Sequence, residues 1–282
     1  MSVLTRRIRI GHSPDPDDAF MYYAIARSLV DTGGHAIEQV LEDIESLNRR
    51  ALVGELEVTA VSIHAYAHLA DRYALMSCGA SMGDGYGPIV VAKEPLDPAG
   101  LAGVTVAIPG TLTSAYLALR LFTGREFPFV VVPFDQILDA VTSGQAGAGL
   151  VIHEGQLTYA AAGLKKVLDL GAWWKETHDG LPLPLGGNAV RKDLGAGTMR
   201  SLTAMYRGSI AYALAHRGEA LAYAKDFGRG LSDPLNDRFV GMYVNDLTLD
   251  YGERGRRAIR AFLDEGAAAG LVPSLPAVDF VG

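Results

Sequence analysis

The chain has 282 residues, of which 49% are hydrophobic and 20% charged, so it is long enough for two domains with a sizeable core, and a disordered chain is excluded. The formal net charge of -7 argues against a nucleic-acid backbone as partner. A single cysteine, Cys78, excludes an intrachain disulfide and a cysteine-based metal cluster.

The opening MSVLTRRIRIGHSP has basic residues but no apolar run behind them, which predicts no signal peptide and a cytoplasmic protein. No apolar stretch is long enough to span a bilayer. Arg6 to Gly11 reads as a first strand, and Ser13-Pro14-Asp15-Pro16-Asp17-Asp18 as a rigid polar loop. A helix is expected from about Asp18 to Leu29, capped by Asp17 or Asp18. His35 to Leu41 reads as a strand. The next helix starts near Asp43 and turns Ile44, Leu47 and Ala51 inward. Val58 to Ser62 is a short strand followed by helical Ile63 to Ala70. Tyr73 to Met82 and Ile89 to Lys93 read as strands around the turn-rich Gly83 to Pro88. Glu94-Pro95-Leu96-Asp97-Pro98 reads as a crossover into a second domain. There Val104 to Ile108, Phe127 to Val132, Gly149 to Ile152 and Lys165 to Leu170 are expected strands. Ala115 to Phe122 and Asp135 to Thr142 are helices between them, the pattern of parallel βαβ units. Leu181-Pro182-Leu183-Pro184-Leu185-Gly186-Gly187 reads as the return crossover. Helices are expected at Met199 to Leu214 and near Arg256 to Ala269. The expected fold is α/β: a two-lobed, type-II periplasmic-binding-protein-like architecture with a ligand cleft between lobes. Residues 1–93 with 188–282 would form a discontinuous lobe and 94–187 an inserted one.

In open α/β sheets, ligands bind beyond the carboxyl ends of strands. The run Ala148 to Ile152 is small, apolar and unalternating, as in a strand buried on both faces, and it stops at His153-Glu154. His153 therefore stands where a ligand would, and its imidazole exchanges protons near neutral pH. The ordinary alternative is a histidine that caps a helix or bonds a loop. Three other strand-to-helix junctions resemble it: Ser13 to Asp18, Ser62, and Thr113-Ser114. Free N–H groups at helix starts favour a carboxylate ligand, and the hydroxyls of Ser62, Thr113 and Ser114 would add donors, with plain N-capping as the alternative for each. Asp15, Asp17 and Asp18 read as turn formers and caps; an acidic Mg²⁺ site would need further ligands. His64 and His68 are four apart with no third ligand evident, and Trp173-Trp174 reads as core packing. No metal or cofactor motif is found. The expected partner is a small-molecule carboxylate, with no nucleic acid and no membrane, and the chain carries no signal for oligomeric state.

Gly11-His12-Ser13-Pro14 with Asp18 and Phe20, Leu41 to Arg49, Thr113-Ser114-Ala115-Tyr116, Gly149 to Glu154, Asp169 to Trp174 and Gly180 to Gly186 together resemble the menaquinone-biosynthesis family of the futalosine pathway. The resemblance implies a binding-protein fold turned into a lyase that cleaves cyclic dehypoxanthine futalosine to 1,4-dihydroxy-6-naphthoate and a three-carbon fragment. It also implies that His153, in the I-H-E motif, is the proton acceptor, with substrate-binding positions at Ala60, Val61, Ser62, Thr113 and Ser114. The chain departs from the family's S-P-C-P-N-D loop at Asp15 and Asp17. It has Ala60 in place of a usual lysine, and Thr111-Leu112 in place of a more basic pair. These changes remove positive charge and add negative charge. Two alternatives stand beside the lyase: a solute-binding protein that captures a small carboxylate, and the sister dehydratase of the same family.

Overall fold

The computed structural model describes residues 7–274 and 277–282; Arg6, placed above in the first strand, lies outside them. The larger sheet collects β1 (Arg7–His12), β2 (Ala36–Leu41), β3 (Val58–Ser62), β4 (Tyr73–Met76) and β5 (Ser81–Gly83). The smaller sheet holds β6 (Ile89–Ala92), β7 (Val106–Ile108), β8 (Phe129–Val131), β9 (Ala148–Val151) and β10 (Lys165–Asp169). The chain then returns to the larger sheet as β11 (Leu183–Arg191) and β12 (Phe280–Val281). The strand orders are β12-β4-β11-β3-β1-β2, with β5 also on β11, and β10-β6-β9-β7-β8.

The centres of both sheets are buried because their strands carry apolar or small residues on both faces: all of β3, β4, β6, β7 and β9 is buried. The helix Pro16–Ala26 is sunk on all sides, with Phe20, Met21 and Tyr22 at most 1% exposed, and packs on Ala196–Ala215 and Arg217–Ala224. It starts earlier than the pattern predicts because Pro16, at the first helical position, presets the backbone and makes Asp15 the flanking residue. It ends at Ala26, ahead of Ser28, whose φ is +56°.

Three expectations need correction. The alternation in the second domain implied parallel pairing there, but β6 runs antiparallel to β9 and β10; in the larger sheet β11 runs antiparallel to β3, β4 and β5. The Leu181–Gly187 stretch is mostly strand. Pro184 fits because pairing with β5 is irregular between Pro184 and Gly186, where a missing N–H costs little. Glu94 to Pro98 connects β6 to β7 inside the smaller sheet. The passages between sheets therefore lie earlier than the expected limits at 93 and 188: one between β5 and β6, the other between the helix Leu170–Thr177 and β11. The first passage is tight. A Cβ on Gly171 would stand 1.9 Å from the Tyr86 carbonyl oxygen, and one on Gly83 would stand 2.0 Å from it.

Candidate active site

A cleft of about 720 Å³, counting its open mouth, lies between the two sheets. Its lining includes Ser13, Ala60, Val61, Ser62, Thr113, Ser114 and His153, the expected base and the expected substrate-binding residues. Ser62 ends β3, with Ala60 and Val61 inside it, and Ser13, Thr113, Ser114 and His153 lie in the segments that follow β1, β7 and β9.

His153 follows β9 in a left-handed backbone conformation, φ +61°, which is uncommon outside glycine and marks a residue held by its surroundings. Its side chain is 15% exposed and its ring meets Phe134 edge-on at 4.5 Å between centroids. Nδ1 is 3.1 Å from Oδ2 of Asp15; Nε2 is buried and has no hydrogen-bond partner. Asp15 occupies the position before Pro16 but does not cap the helix. Its carboxylate accepts from the Ser13 hydroxyl and, at 2.9 Å, from the guanidinium of Arg229. Ser13 thus spends its hydroxyl proton on Asp15 and has none left to offer a ligand. Arg229, itself at φ +46°, also reaches Glu154 at 2.9 Å and lies 4.5 Å over the Phe134 ring.

The expected hydroxyl donors divide. Thr113 caps the helix Ser114–Thr123 by accepting from Tyr116 N–H at 3.2 Å, and donates to the Gly110 carbonyl at 3.0 Å. Ser114 donates to the Leu185 carbonyl at 2.5 Å and accepts from His64 N–H at 3.1 Å. Both protons are consumed by backbone oxygens, so capping and cross-bracing account for these side chains. What this segment presents is backbone: the Ser114 and Ala115 N–H groups open a ten-residue helix and have no acceptor within it. Ser62 differs. Its oxygen accepts from Asn48 at 3.0 Å and its own N–H is taken by the same side chain at 2.9 Å, which leaves its hydroxyl proton free. Ala60 and Val61 pair with Asn188 and Gly187 across β3 and β11 and form the floor.

The other end of the cleft is acidic. Burial, reinforced by the charges of Asp18 and Asp15, pushes the Asp17 carboxyl well above its ordinary range; burial and the Asp15 charge push Asp18 up to about 7. Neither caps by its side chain as expected; Asp18 instead accepts from Ser13 N–H at 2.8 Å. His12 and His64, both pushed down to about 4 by burial, are core histidines, each with Nδ1 on a backbone carbonyl, Ser13 and Thr113 respectively. Among the described residues no three His, Cys, Asp or Glu side chains are grouped to hold a metal ion, and no helix is long and apolar enough to cross a membrane. Trp174 is fully buried and stacked on His178 at 3.4 Å, a core role.

Sequence reasoning missed three contributors. Arg229 lies in Gly228-Arg229-Gly230, whose flanking glycines were a signal of a special turn. Asn188 donates to the Gly79 carbonyl and to Tyr206, both at 3.0 Å, while its buried Oδ1 has no partner and lines the cleft. Tyr243 donates to Gln156 at 2.8 Å and ties the helix Asp233–Tyr243 to the segment after His153.

A family model described as menaquinone biosynthesis matches residues 8–268. The chain is 46% identical over 274 residues to 1,4-dihydroxy-6-naphthoate synthase of Thermus thermophilus, covering 97% of this chain and 99% of that protein. A crystal structure of an Archaeoglobus fulgidus protein superposes with TM-score 0.90 at 48% identity over 94% of this chain and 98% of that one. The alkanesulfonate-binding protein SsuA of Xanthomonas axonopodis, bound to MOPS, gives TM-score 0.71 at 14% identity over 95% and 94% of the two chains. The fold is that of the periplasmic binding proteins.

Proposed function

The chain belongs to the menaquinone-biosynthesis family, and we propose that it is a carbon–carbon lyase of the futalosine pathway that converts cyclic dehypoxanthine futalosine to 1,4-dihydroxy-6-naphthoate in the cytoplasm. One observation carries the assignment of roles: the unpartnered Nε2 of His153 in a cleft whose other wall offers donors for a carboxylate. His153 is the general base. It removes a proton, a carbon–carbon bond breaks, and the ring becomes aromatic, so that one well-placed base is enough to start the sequence. The substrate carboxylate is met by the Ser62 hydroxyl and by the Ser114 and Ala115 N–H groups, with the positive end of the helix behind them. Ala60 and Val61 shape the floor on which the ring lies. Thr113 and Ser114 act through the backbone they hold rather than through their hydroxyls.

The experiment is direct. Purified protein is incubated with cyclic dehypoxanthine futalosine and naphthoate absorbance is followed. Product formation is expected. Saturable binding of the same compound with no product under conditions where the Thermus enzyme is active would refute the lyase and leave a solute-binding protein.

A further inference from the structure

Asp15 is buried to 1% exposure, yet its side chain makes no capping bond to the helix it precedes. One oxygen faces the Ser13 hydroxyl and Nδ1 of His153; the other faces Arg229. A buried carboxylate pays a desolvation cost that only good partners offset. Here two of the partners, His153 and Arg229, come from distant parts of the chain and converge on a single side chain. We infer that Asp15 is the positioning residue of His153: it takes the proton on Nδ1 and so leaves Nε2 as the bare nitrogen turned toward substrate. The inference rests on the reading of His153 as the base.

The two imidazole nitrogens are distinct, and the hydrogen bond made by one decides which tautomer the ring adopts. A carboxylate accepts and cannot donate, so a neutral ring facing Asp15 must carry its proton on Nδ1. Rotation to the other arrangement is opposed by the edge-on Phe134 ring and by the left-handed backbone at residue 153. Nε2 of His153 has no hydrogen-bond partner, and unlike His12, whose Nε2 is also unpartnered, His153 lines the cleft. Arg229 completes the unit. Its guanidinium bridges Asp15 and Glu154 and covers Phe134, so the carboxylate, the residue after the base and the ring against the base are fixed by one cation. It also supplies, from the far end of the chain, positive charge to a loop made acidic by Asp15, Asp17 and Asp18.

The test uses two measurements. The ring nitrogens of His153 are observed by ¹⁵N NMR of the full-length protein at a pH where the ring is neutral, and assigned by their loss in His153→Asn. The expected spectrum shows Nδ1 protonated and Nε2 bare, the tautomer that free histidine disfavours. Asp15→Asn, in which the amide can donate to Nδ1, is expected to shift the ring to the other tautomer or to a mixture. It should lower kcat by about 10²–10⁴-fold with little change in KM, since the same substitution in the serine-protease Asp–His pair costs about 10⁴. A wild-type ring protonated on Nε2 overturns the inference. So does an Asp15→Asn protein with unchanged tautomer and kcat. The wild-type spectrum needs no variant, so a misfolded Asp15→Asn protein leaves the question decidable. Absence of turnover in a wild-type protein with the expected tautomer would refute the lyase reading while the pairing stands.

Discussion

His153→Asn separates chemistry from structure at the centre of the site. The backbone there is left-handed, and asparagine is among the residues that adopt this conformation most readily, so the substitution removes the imidazole without forcing the turn to change. An amide cannot take a proton near neutral pH, and general-base catalysis typically contributes about 10²–10⁴-fold. At about 1.36 kcal/mol per decade that is roughly 3–5 kcal/mol of barrier. The stability change is not zero. At 15% exposure the side chain is nearly buried, so its replacement is felt in folding. The variant loses the 3.1 Å contact of the ring with the Asp15 carboxylate, but Asp15 keeps Ser13 and Arg229 and is not orphaned. A net loss of about 1–3 kcal/mol in urea unfolding is therefore expected. Turnover is read from naphthoate absorbance at saturating substrate, and affinity by calorimetry on the same preparation. Because the proposed carboxylate contacts are on the other wall, affinity should survive while turnover falls. Turnover close to that of the wild type would refute the base assignment.

Three further outcomes follow from the same geometry. Ser62→Ala removes the free hydroxyl proton facing the proposed carboxylate; a lost hydrogen bond of about 1.5–3 kcal/mol predicts a KM raised roughly 10–100-fold with kcat little changed, and an unaltered KM would count against this contact. Ser114→Ala leaves the Leu185 carbonyl and the His64 N–H without their shared partner and should cost about 1–3 kcal/mol in denaturant unfolding; full stability would show that the brace between helix and β11 is dispensable. Asp18 has its carboxyl raised from the ordinary 3.8 to about 7 in the folded protein. The folded state therefore binds this proton more tightly than the unfolded chain, and the associated stability is complete below pH 4 and lost as pH rises through 7. Asp18→Asn escapes that loss, so its stability gain over the wild type should grow as pH rises from 4 to 8. A gain that does not vary with pH would refute the shift.

Local patterns carried the segments that a single physical rule governs. The unalternating run before His153 and the five buried residues of β3 had to be central strands, and the start of Ser114–Thr123 was marked by a threonine that does cap it. Placing the junctions at strand ends was enough to bring Ser13, Ser62, Thr113 and His153 to one cleft. Hydrogen-bond partners were not legible in the same way. Nothing near Thr113 or Ser114 in sequence shows that the Gly110 and Leu185 carbonyls would claim their protons. Asp15 beside Pro16 looks like a helix start by every local criterion, and only the approach of β9 gives it another task. Arg229 reaches it across the whole chain. Strand direction was missed for a related reason: β11 contains Pro184 and two glycines, which read as a crossing, and its pairing is decided by β3, β4 and β5.

The strand order has a consequence for how the chain is made. β3 lies between β1 and β11, but β11 leaves the ribosome only after residues 63–182, which include the entire smaller sheet. Until then the edge Val58-Thr59-Ala60-Val61-Ser62 has no neighbour on one side, and it carries no charged residue to discourage pairing with another chain. The smaller sheet can assemble from a contiguous stretch of nascent chain while the larger one waits. Closing so long an interval adds little to the equilibrium cost, since that entropy grows only with the logarithm of length, but it slows the event itself. The proposed floor of the site is thus the surface most exposed to misassociation during synthesis, and it is sealed by β11, the strand that also brings Asn188 to the cleft.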